Sequence, residues 1–264
     1  MEQTGIWEAE MAMESGQTLH NELGGLRLWV TMLNAEWQVR VERYERVGED
    51  TVWHQGLSHV VPGKEKELQR FIRDEGETAI RFRPALASLP VVIRPYNPLH
   101  IPGEHTTTIY LSTVVWMQVM VGTDRMLMEL PVMVPSWTWL GRNTMQGELC
   151  YASQTYARLN ERALPRRPWR ANSAVTIHNR GRKPLVVERL SLPTPMLALY
   201  QQQAQGDWLW TPGVRIECEK NLESASLSLD EAPPPVAGAC QRVNEPRQAP
   251  EKGHWVKAMD RIFG

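Results

Sequence analysis

The sequence is poor in cysteine and in aspartate. Its three cysteines, Cys150, Cys218 and Cys240, are far apart and show no CxxC spacing. An odd, scattered set argues against a disulfide framework or a zinc site and favours a reducing compartment. Aspartates are a small minority of the 30 acidic residues, so calcium loops rich in Asp are poorly supplied.

Long apolar runs and an excess of charge are also missing. No window approaches the roughly 18 apolar residues of a membrane-spanning helix. The N-terminal segment carries Glu2, Glu8 and Glu10 and has no basic-then-apolar signal pattern. The formal net charge of −1 argues against a general nucleic-acid binder. We therefore expect a cytoplasmic protein without a transmembrane segment or a nucleic-acid partner, reaching the inner membrane, if at all, through a partner.

The common catalytic signatures are absent as well. The sequence contains no GxGxxG, GxxxxGK[ST], HExxH or GxSxG motif. Phosphate-cradling loops, zincin sites and nucleophile elbows therefore have no starting point. We expect a protein that is not an enzyme, with no cofactor, no catalytic residue and no metal ligand.

What is present is a succession of short β-strand patterns. Residues 93–121 and 175–187 each contain a β-branched strand, a turn built on Pro, Asn or Gly, and a second strand. Residues 23–47 form an alternating pattern typical of two strands that join near Asn34. Turns recurring every 8 to 12 residues or so favour antiparallel sandwiches over a βαβ fold. The predicted fold class is all-β, with two antiparallel, Ig-like β-sandwich halves and a short C-terminal helix.

The chain is long enough for two domains. We expect an N-terminal extension over residues 1–24, a first β-sandwich domain over 25–140, a second over 141–230, and a proline-rich linker with a C-terminal amphipathic helix over 231–264. The segments VVIRPYNPLHI and VTIHNRGRKPLVV share an extended V-x-I, a polar turn and Pro-Leu before a second strand. A duplication and two sandwiches that follow common local rules both account for this similarity.

The C-terminal segment is predicted to bind a partner. Trp255, Met259, Ile262 and Phe263 recur at i, i+4, i+7 and i+8, which places them on one face of a short helix. A helix on a flexible tether can dock in the groove of another protein or on its own body, and both outcomes remain open.

The densest basic segment is a second predicted contact surface. It contains Arg158, Arg162, Arg166, Arg167 and Arg170. Guanidinium groups bind carboxylates and phosphates through paired hydrogen bonds. An anionic protein surface, a lipid headgroup, a nucleotide or only solvent would each fit such a loop.

Aromatic and histidine residues offer two further hypotheses. Two indoles share one face of a strand in each of two i, i+2 pairs, Trp137 with Trp139 and Trp208 with Trp210. Such pairs suit packing between sheets or, when exposed, the stacking of sugar rings. His100 and His105 flank a Pro-Gly-Glu turn and could ligate a metal, although their spacing matches no helical ligand pair.

With these motifs in place, the chain resembles the prokaryotic family catalogued as domain of unknown function four hundred and thirty-two. The resemblance rests on IPGE at residues 101–104 leading into IYLST at 109–113, on GELCYA at 147–152 and on LVVERLSLP at 185–193. It covers about residues 25–230 and the terminal Phe263 and Gly264. The family has no established activity, so the resemblance implies no catalytic residues. It implies an accessory role beside mechanosensitive-channel-type membrane proteins, which accompany its bacterial members.

Two functional hypotheses follow. The first is a non-enzymatic, cytoplasmic regulatory module that binds another protein, with the cytosolic domain of a small mechanosensitive channel as the candidate partner and homo-oligomerisation left open. The alternative is a β-sandwich module for small ligands or carbohydrates, including a metal-dependent enzyme, that uses the paired tryptophans or the turn between His100 and His105.

Overall fold

The structure, a computed structural model, confirms the all-β class. It describes residues 2–4, 6–44, 52–58, 67–141, 147–204, 208–221, 224–249, 255–258 and 262–263. Within these ranges the helical elements are three-residue 3-10 turns, at Glu161–Ala163, Thr194–Met196 and Pro235–Ala237, and none of them could span a membrane. The strands in chain order are β1 (Glu2–Thr4), β2 (Met11–Ala12), β3 (Thr18–Leu23), β4 (Leu26–Met32), β5 (Glu36–Arg43), β6 (His54–Ser58), β7 (Leu68–Ile72), β8 (Ala79–Ala85), β9 (Val91–Pro95), β10 (Leu99–Ile101), β11 (His105–Val114), β12 (Trp116–Val121), β13 (Arg125–Pro131), β14 (Ser136–Leu140), β15 (Glu148–Thr155), β16 (Arg170–Asn179), β17 (Leu185–Val187), β18 (Leu190–Leu192), β19 (Leu199–Gln202), β20 (Leu209–Trp210), β21 (Val214–Cys218), β22 (Ser224–Leu229), β23 (Cys240–Asn244) and β24 (Trp255–Ala258).

The chain forms two compact units that interleave in sequence. The first unit contains Met1–Ala85, Val115–Met133 and Arg166–Trp169, and the second contains Leu86–Val114, Val134–Pro165 and Arg170–Gly264. The sequence analysis placed one boundary near residue 140 instead. The difference arises because β12 pairs with β8 across a long insertion, and a pairing between distant strands leaves no mark in local periodicity.

The first unit packs a six-stranded sheet against a four-stranded sheet. Their strand orders are β1-β6-β3-β4-β5-β7 and β13-β12-β8-β2, and every pairing within them is antiparallel. Asn21 of β3 donates a hydrogen bond to the sulfur of Met117 on β12 at 3.7 Å, and the ring centroids of Trp53 and Phe82 lie 6.4 Å apart. The alternation predicted over residues 23–47 is therefore confirmed as β4 and β5, whose apolar positions form one buried face.

Hydrogen bonds and an ion pair converge on the buried carboxylate of Glu77 in this unit. The Glu77 carboxylate accepts hydrogen bonds from Arg125 Nε at 2.7 Å and from Trp37 Nε1 at 3.2 Å. The backbone N–H of Asp74 donates a third, at 3.2 Å. Arg125 is the largest cause of a lowered pKa of the Glu77 carboxyl group, which stays ionised at neutral pH.

The second unit contains an eight-stranded, a four-stranded and a two-stranded sheet. Their orders are β23-β19-β20-β16-β21-β22-β24 with β11 also on β16, then β14-β15-β9-β18, and β10-β17. Most pairings are antiparallel, but β16 runs parallel to β20 and β21, and β15 runs parallel to β9. The two similar segments noted in the sequence end in β10 and β17, which pair with each other.

The C-terminal part of the chain differs from the prediction. Trp255–Ala258, where a helix was expected, is a strand paired with β22, and Met259 lies outside the described residues. A helix of fewer than about 12 residues is only marginally stable alone, whereas the edge of β22 offers backbone hydrogen bonds at once. Ile262 and Phe263 are buried, and the Ser191 N–H donates to the Ile262 carbonyl at 2.7 Å.

The stretch predicted as a linker also belongs to the second unit. Its strand Cys240–Asn244 pairs with β19, and the proline-rich turn buries Ala237 beside Leu164 and Trp210. The prolines thus shape a packed turn, because their fixed φ suits a 3-10 turn as well as an extended tether.

Candidate functional site

Asn179 joins two turns at one end of the second unit. It is the last residue of β16 and is fully buried. Its Nδ2 donates to the carbonyls of Ile101 at 3.1 Å, Pro102 at 3.0 Å and Lys183 at 2.9 Å, while its Oδ1 accepts from Gly181 N at 3.0 Å. One side chain therefore holds the turn between β10 and β11 against the turn between β16 and β17.

Gly103 lets these turns approach closely. A Cβ atom built there would lie 2.3 Å from the carbonyl oxygen of Arg182, which is far inside van der Waals contact. The next residue, Glu104, donates its backbone N–H to the Gly181 carbonyl at 2.9 Å. A glycine is needed because any side chain would force the turns apart.

The two turns, with the residues after β21, enclose a basic pocket of about 490 Å³. We use the term basic pocket for the cavity lined by Glu104, Arg180, Arg182, Lys183, Lys220 and Asn221. Arg180 is ion-paired with Glu217 at 2.6 Å. Arg182, Lys183 and Lys220 have no ion-pair partner among the described residues. The basic pocket thus presents three cations without an ion-pair partner and a single carboxylate, that of Glu104, so positive charge is in excess and suits an anionic group.

Sequence reasoning missed these residues. The motif NRGRKP, at residues 179–184, was interpreted only as a turn between strands. Its basic side chains could have been noticed, but the contribution of Lys220 could not. Lys220 reaches the pocket because β21 runs parallel to β16, with Cys218 opposite Asn179.

The five predicted contact arginines are divided between the two units. Arg158, Arg162 and Arg170 lie in the second unit, and Arg166 and Arg167 in the first. None of the five lines the basic pocket. Their predicted role in partner binding stays a prediction.

Two of these arginines make contacts within the second unit. Arg170 donates its Nε to Ser112 Oγ at 2.9 Å and also bonds the Ser112 carbonyl through Nη2. The Arg158 guanidinium lies 5.0 Å from the ring centroid of Tyr156. Arg162 sits in an exposed 3-10 turn. Arg170 is therefore engaged in holding β11 and β16 together, while Arg162 remains on the surface.

The two tryptophan pairs have different environments. Trp210 is fully buried, and its ring centroid lies 5.3 Å from that of Trp208. Trp137 is 60% exposed and Trp139 is 42% exposed on the edge strand β14. The Trp137 ring packs on Tyr151 with centroids 4.9 Å apart. One pair therefore serves packing, and the other leaves indole surface open to solvent.

A second cavity in the same unit is mainly apolar. We call this space of about 340 Å³ the apolar cavity; it is lined by Ser88, Leu89, Pro90, Glu148, Leu149, Ser191, Pro193, Pro195, Met196, Leu227, Gln248 and Ile262. The Glu148 carboxylate has no ion-pair partner among the described residues. A ligand for this cavity would need apolar surface and, beside Glu148, a hydrogen-bond donor or a cation.

The residue types needed for metal or thiol chemistry are not gathered into a site. Within the described ranges, no group of three or more His, Cys, Asp or Glu side chains is placed to hold a metal ion. Burial raises the pKa of the Cys218 thiol to about 11, so this sulfur is almost fully protonated at neutral pH and is a weak nucleophile.

Fold and site together define an all-β protein with a basic pocket at the meeting point of two strand turns. The family model described as "Protein of unknown function (DUF432)" matches residues 7–263. The chain belongs to this family. No curated protein and no solved structure matches the chain.

Proposed function

We propose that the protein is a non-enzymatic binding module whose basic pocket holds an anionic group of a partner protein. The observation that supports this is the excess of positive charge around one cavity, where Arg182, Lys183 and Lys220 have no ion-pair partner among the described residues and Glu104 is the single carboxylate in the lining. A carboxylate or phosphate group would bring the missing counter-charge, and the guanidinium of Arg182 can grip it through parallel hydrogen bonds.

The rigidity of the turns also supports binding. Backbone positions on both sides of the basic pocket are fixed by Asn179 and by the close approach at Gly103. A preorganised site loses less conformational entropy on binding than a loose loop does. The lining cations are exposed, so binding will be screened by salt and will weaken as ionic strength rises.

The partner remains the one proposed from the family resemblance. We retain the cytosolic domain of a small mechanosensitive-type channel as the candidate, with the protein acting as its cytoplasmic accessory subunit. Its anionic group would be an acidic or phosphorylated segment, since the pocket selects by charge.

A co-purification experiment tests this function. Wild-type protein and the double variant Arg182→Glu/Lys183→Glu are recovered from detergent-solubilised cells of the native host and compared by mass spectrometry. We expect a partner in near-stoichiometric amount with the wild type and its loss with the double variant. Arg94→Glu is the matched control, because Arg94 is an exposed cation of the same unit, outside the pocket, with no ion-pair partner among the described residues.

The hypothesis that the arginine segment, residues 158–170, binds the partner is tested in parallel. The double variant Arg158→Glu/Arg162→Glu changes two of the predicted contact residues and leaves the basic pocket intact. If this variant loses the partner while Arg182→Glu/Lys183→Glu keeps it, the pocket proposal is wrong and the arginine segment is the binding surface.

A second candidate function is supported by the apolar cavity. A small-ligand module would bind an apolar molecule with a cationic group beside Glu148. Calorimetry with naphthylethylamine, its alcohol analogue and naphthylacetate compares ligands that differ mainly in charge. Binding of the amine alone, lost in Glu148→Gln, would favour this function, and no heat from any of the three would exclude ligands of this class.

A further inference from the structure

The basic pocket contains a free carboxylate as well as free cations. Glu104 lines the cavity together with three cations that have no ion-pair partner among the described residues. Its own carboxylate is also without an ion pair in the described part of the chain. Arg180, in the same lining, is instead paired with Glu217 at 2.6 Å. The pocket therefore presents charge of both signs that is not used up within the protein.

The backbone holds the carboxylate of Glu104 near the cations. The N–H of Glu104 donates to the Gly181 carbonyl at 2.9 Å, and Gly103 lies against the carbonyl of Arg182. The side chains of Glu104 and Arg182 thus start from turns that touch, yet their charged groups stay beyond ion-pair distance. A ligand with one negative and one positive group can contact both. A ligand with negative charge alone would be repelled by Glu104.

The conformation of Glu104 also indicates that its side chain has a role. Its φ is 57°, in the left-handed region, where a residue with a Cβ atom is crowded by the following carbonyl. A glycine would adopt this φ without strain. Strained backbone at residues other than glycine is concentrated at binding and catalytic sites. The strain at Glu104 is explained if the pocket needs its carboxylate.

We propose that the group held in the basic pocket is zwitterionic: its phosphate or carboxylate lies among the cations, and a positive group a short spacer away contacts Glu104. This inference rests on the proposed function and adds a requirement to it. The partner segment must carry a cation beside its anion. Glu104 then selects against segments that are acidic throughout, because it repels them.

The test compares ligands that differ by one ammonium group. O-phosphoethanolamine is paired with ethyl phosphate, and β-alanine is paired with propionate. Each Kd is measured by NMR from the backbone amide shifts of Gly103 and Gly181, at about 0.15 M salt, where exposed charges more than about 8 Å apart are largely screened. The selectivity is the Kd of the ligand without the ammonium group divided by the Kd of the ligand that has it. We expect Glu104→Gln to lower this ratio roughly two- to fivefold, which is the change that an exposed ion pair gives.

Glu219→Gln is the matched control. Glu219 is an exposed carboxylate one residue before Lys220, outside the pocket lining and without an ion pair among the described residues. Its replacement removes the same charge from the surroundings of the pocket and should leave the ratio unchanged. A ratio that does not fall in Glu104→Gln, or that falls equally in Glu219→Gln, would overturn the zwitterion and leave the anion site intact. If none of the four ligands shifts the wild-type amides, the proposed function fails, and this inference fails with it.

Vesicles distinguish a protein segment from a lipid headgroup with the same chemistry. Wild-type protein is floated with vesicles of phosphatidylethanolamine and phosphatidylcholine in equal parts. We expect no co-flotation, because the zwitterion is assigned to a segment of a partner protein. Co-flotation that is lost in Glu104→Gln would assign the pocket to a membrane surface and overturn that assignment.

Discussion

Replacing Asn179 should loosen both turns of the basic pocket and destabilise the protein. The side chain has two donor hydrogens on Nδ2 for three carbonyl acceptors, so one hydrogen is shared, and Oδ1 accepts one more bond. That amounts to about three hydrogen bonds, each contributing about 1 kcal/mol at a buried position. We therefore expect Asn179→Ala to lower the free energy of unfolding by about 3 kcal/mol.

Asn172 provides a matched control on the same strand. It is also buried, but its side chain donates one hydrogen bond, to the Leu209 carbonyl at 3.2 Å. Asn172→Ala should therefore cost about 1 kcal/mol. Urea unfolding followed by tryptophan fluorescence at fixed pH and salt measures both values. The reasoning fails if Asn179→Ala costs no more than Asn172→Ala, because the turns would then be held by other contacts.

Three further results are expected from the described contacts. Arg125→Ala should lower stability by about 1–2 kcal/mol in urea unfolding, with little change in the exposed Arg70→Ala control. Arg125 lowers the pKa of Glu77 in the folded protein. The stabilisation from this ion pair is therefore fully present above pH 4.5, the ordinary pKa of the carboxyl group, and is lost as the pH falls through the folded-state pKa. An Arg125→Ala protein whose stability varied with pH as in the wild type would contradict this prediction. Timed alkylation and mass spectrometry should show Cys218 reacting at least about a hundredfold more slowly in native than in unfolded protein, since its sulfur is buried and a rise of its pKa from 9.0 to about 11 by itself cuts the thiolate fraction by that factor. Equal rates would refute the burial of this thiol. Ile262→Ala should cost about 2–4 kcal/mol, measured by thermal or urea unfolding, because the side chain is buried at the C-terminus. A neutral result would mean that this segment does not dock on its own unit.

Local structure was the part of the fold that the sequence could predict. The alternation over residues 23–47 and the Pro-Gly turn at residues 101–105 depend on neighbouring residues, and both correspond to observed strands and turns. The order of the strands in the sheets could not be predicted in this way. It depends on pairings such as β8 with β12 and β16 with β21, which join residues far apart in the chain.

The C-terminal segment shows how tertiary pairing overrides a periodic pattern. Trp255 and Ile262 fit one face of a helix in the sequence, yet Trp255 begins a strand on β22. The apolar spacing of a short segment is compatible with either element, and a free sheet edge decides between them. Sequence analysis correctly singled out apolar residues that become buried at Ile262 and Phe263, but it assigned them the wrong local structure.

The candidate site was predicted least well, because its charge comes from separate parts of the chain. Glu104, Arg182 and Lys220 belong to three different turns. The dense arginine segment attracted attention by its composition, although Arg170 is engaged with Ser112. A cluster in space need not be a cluster in sequence, so composition alone does not reveal the basic pocket, and the role predicted for the arginine segment stays a prediction.

The most direct test of the central claim is an NMR titration of isotope-labelled wild-type protein with phosphate at low ionic strength. The account predicts saturable shifts at the backbone amides of Gly103, Glu104 and Gly181 to Lys183, weakening as sodium chloride is added. The same titration of Arg182→Glu/Lys183→Glu should leave these amides unmoved. Amides of the basic pocket that do not respond in the wild type, or that respond equally in the double variant, would contradict the assignment of this pocket as an anion-binding site.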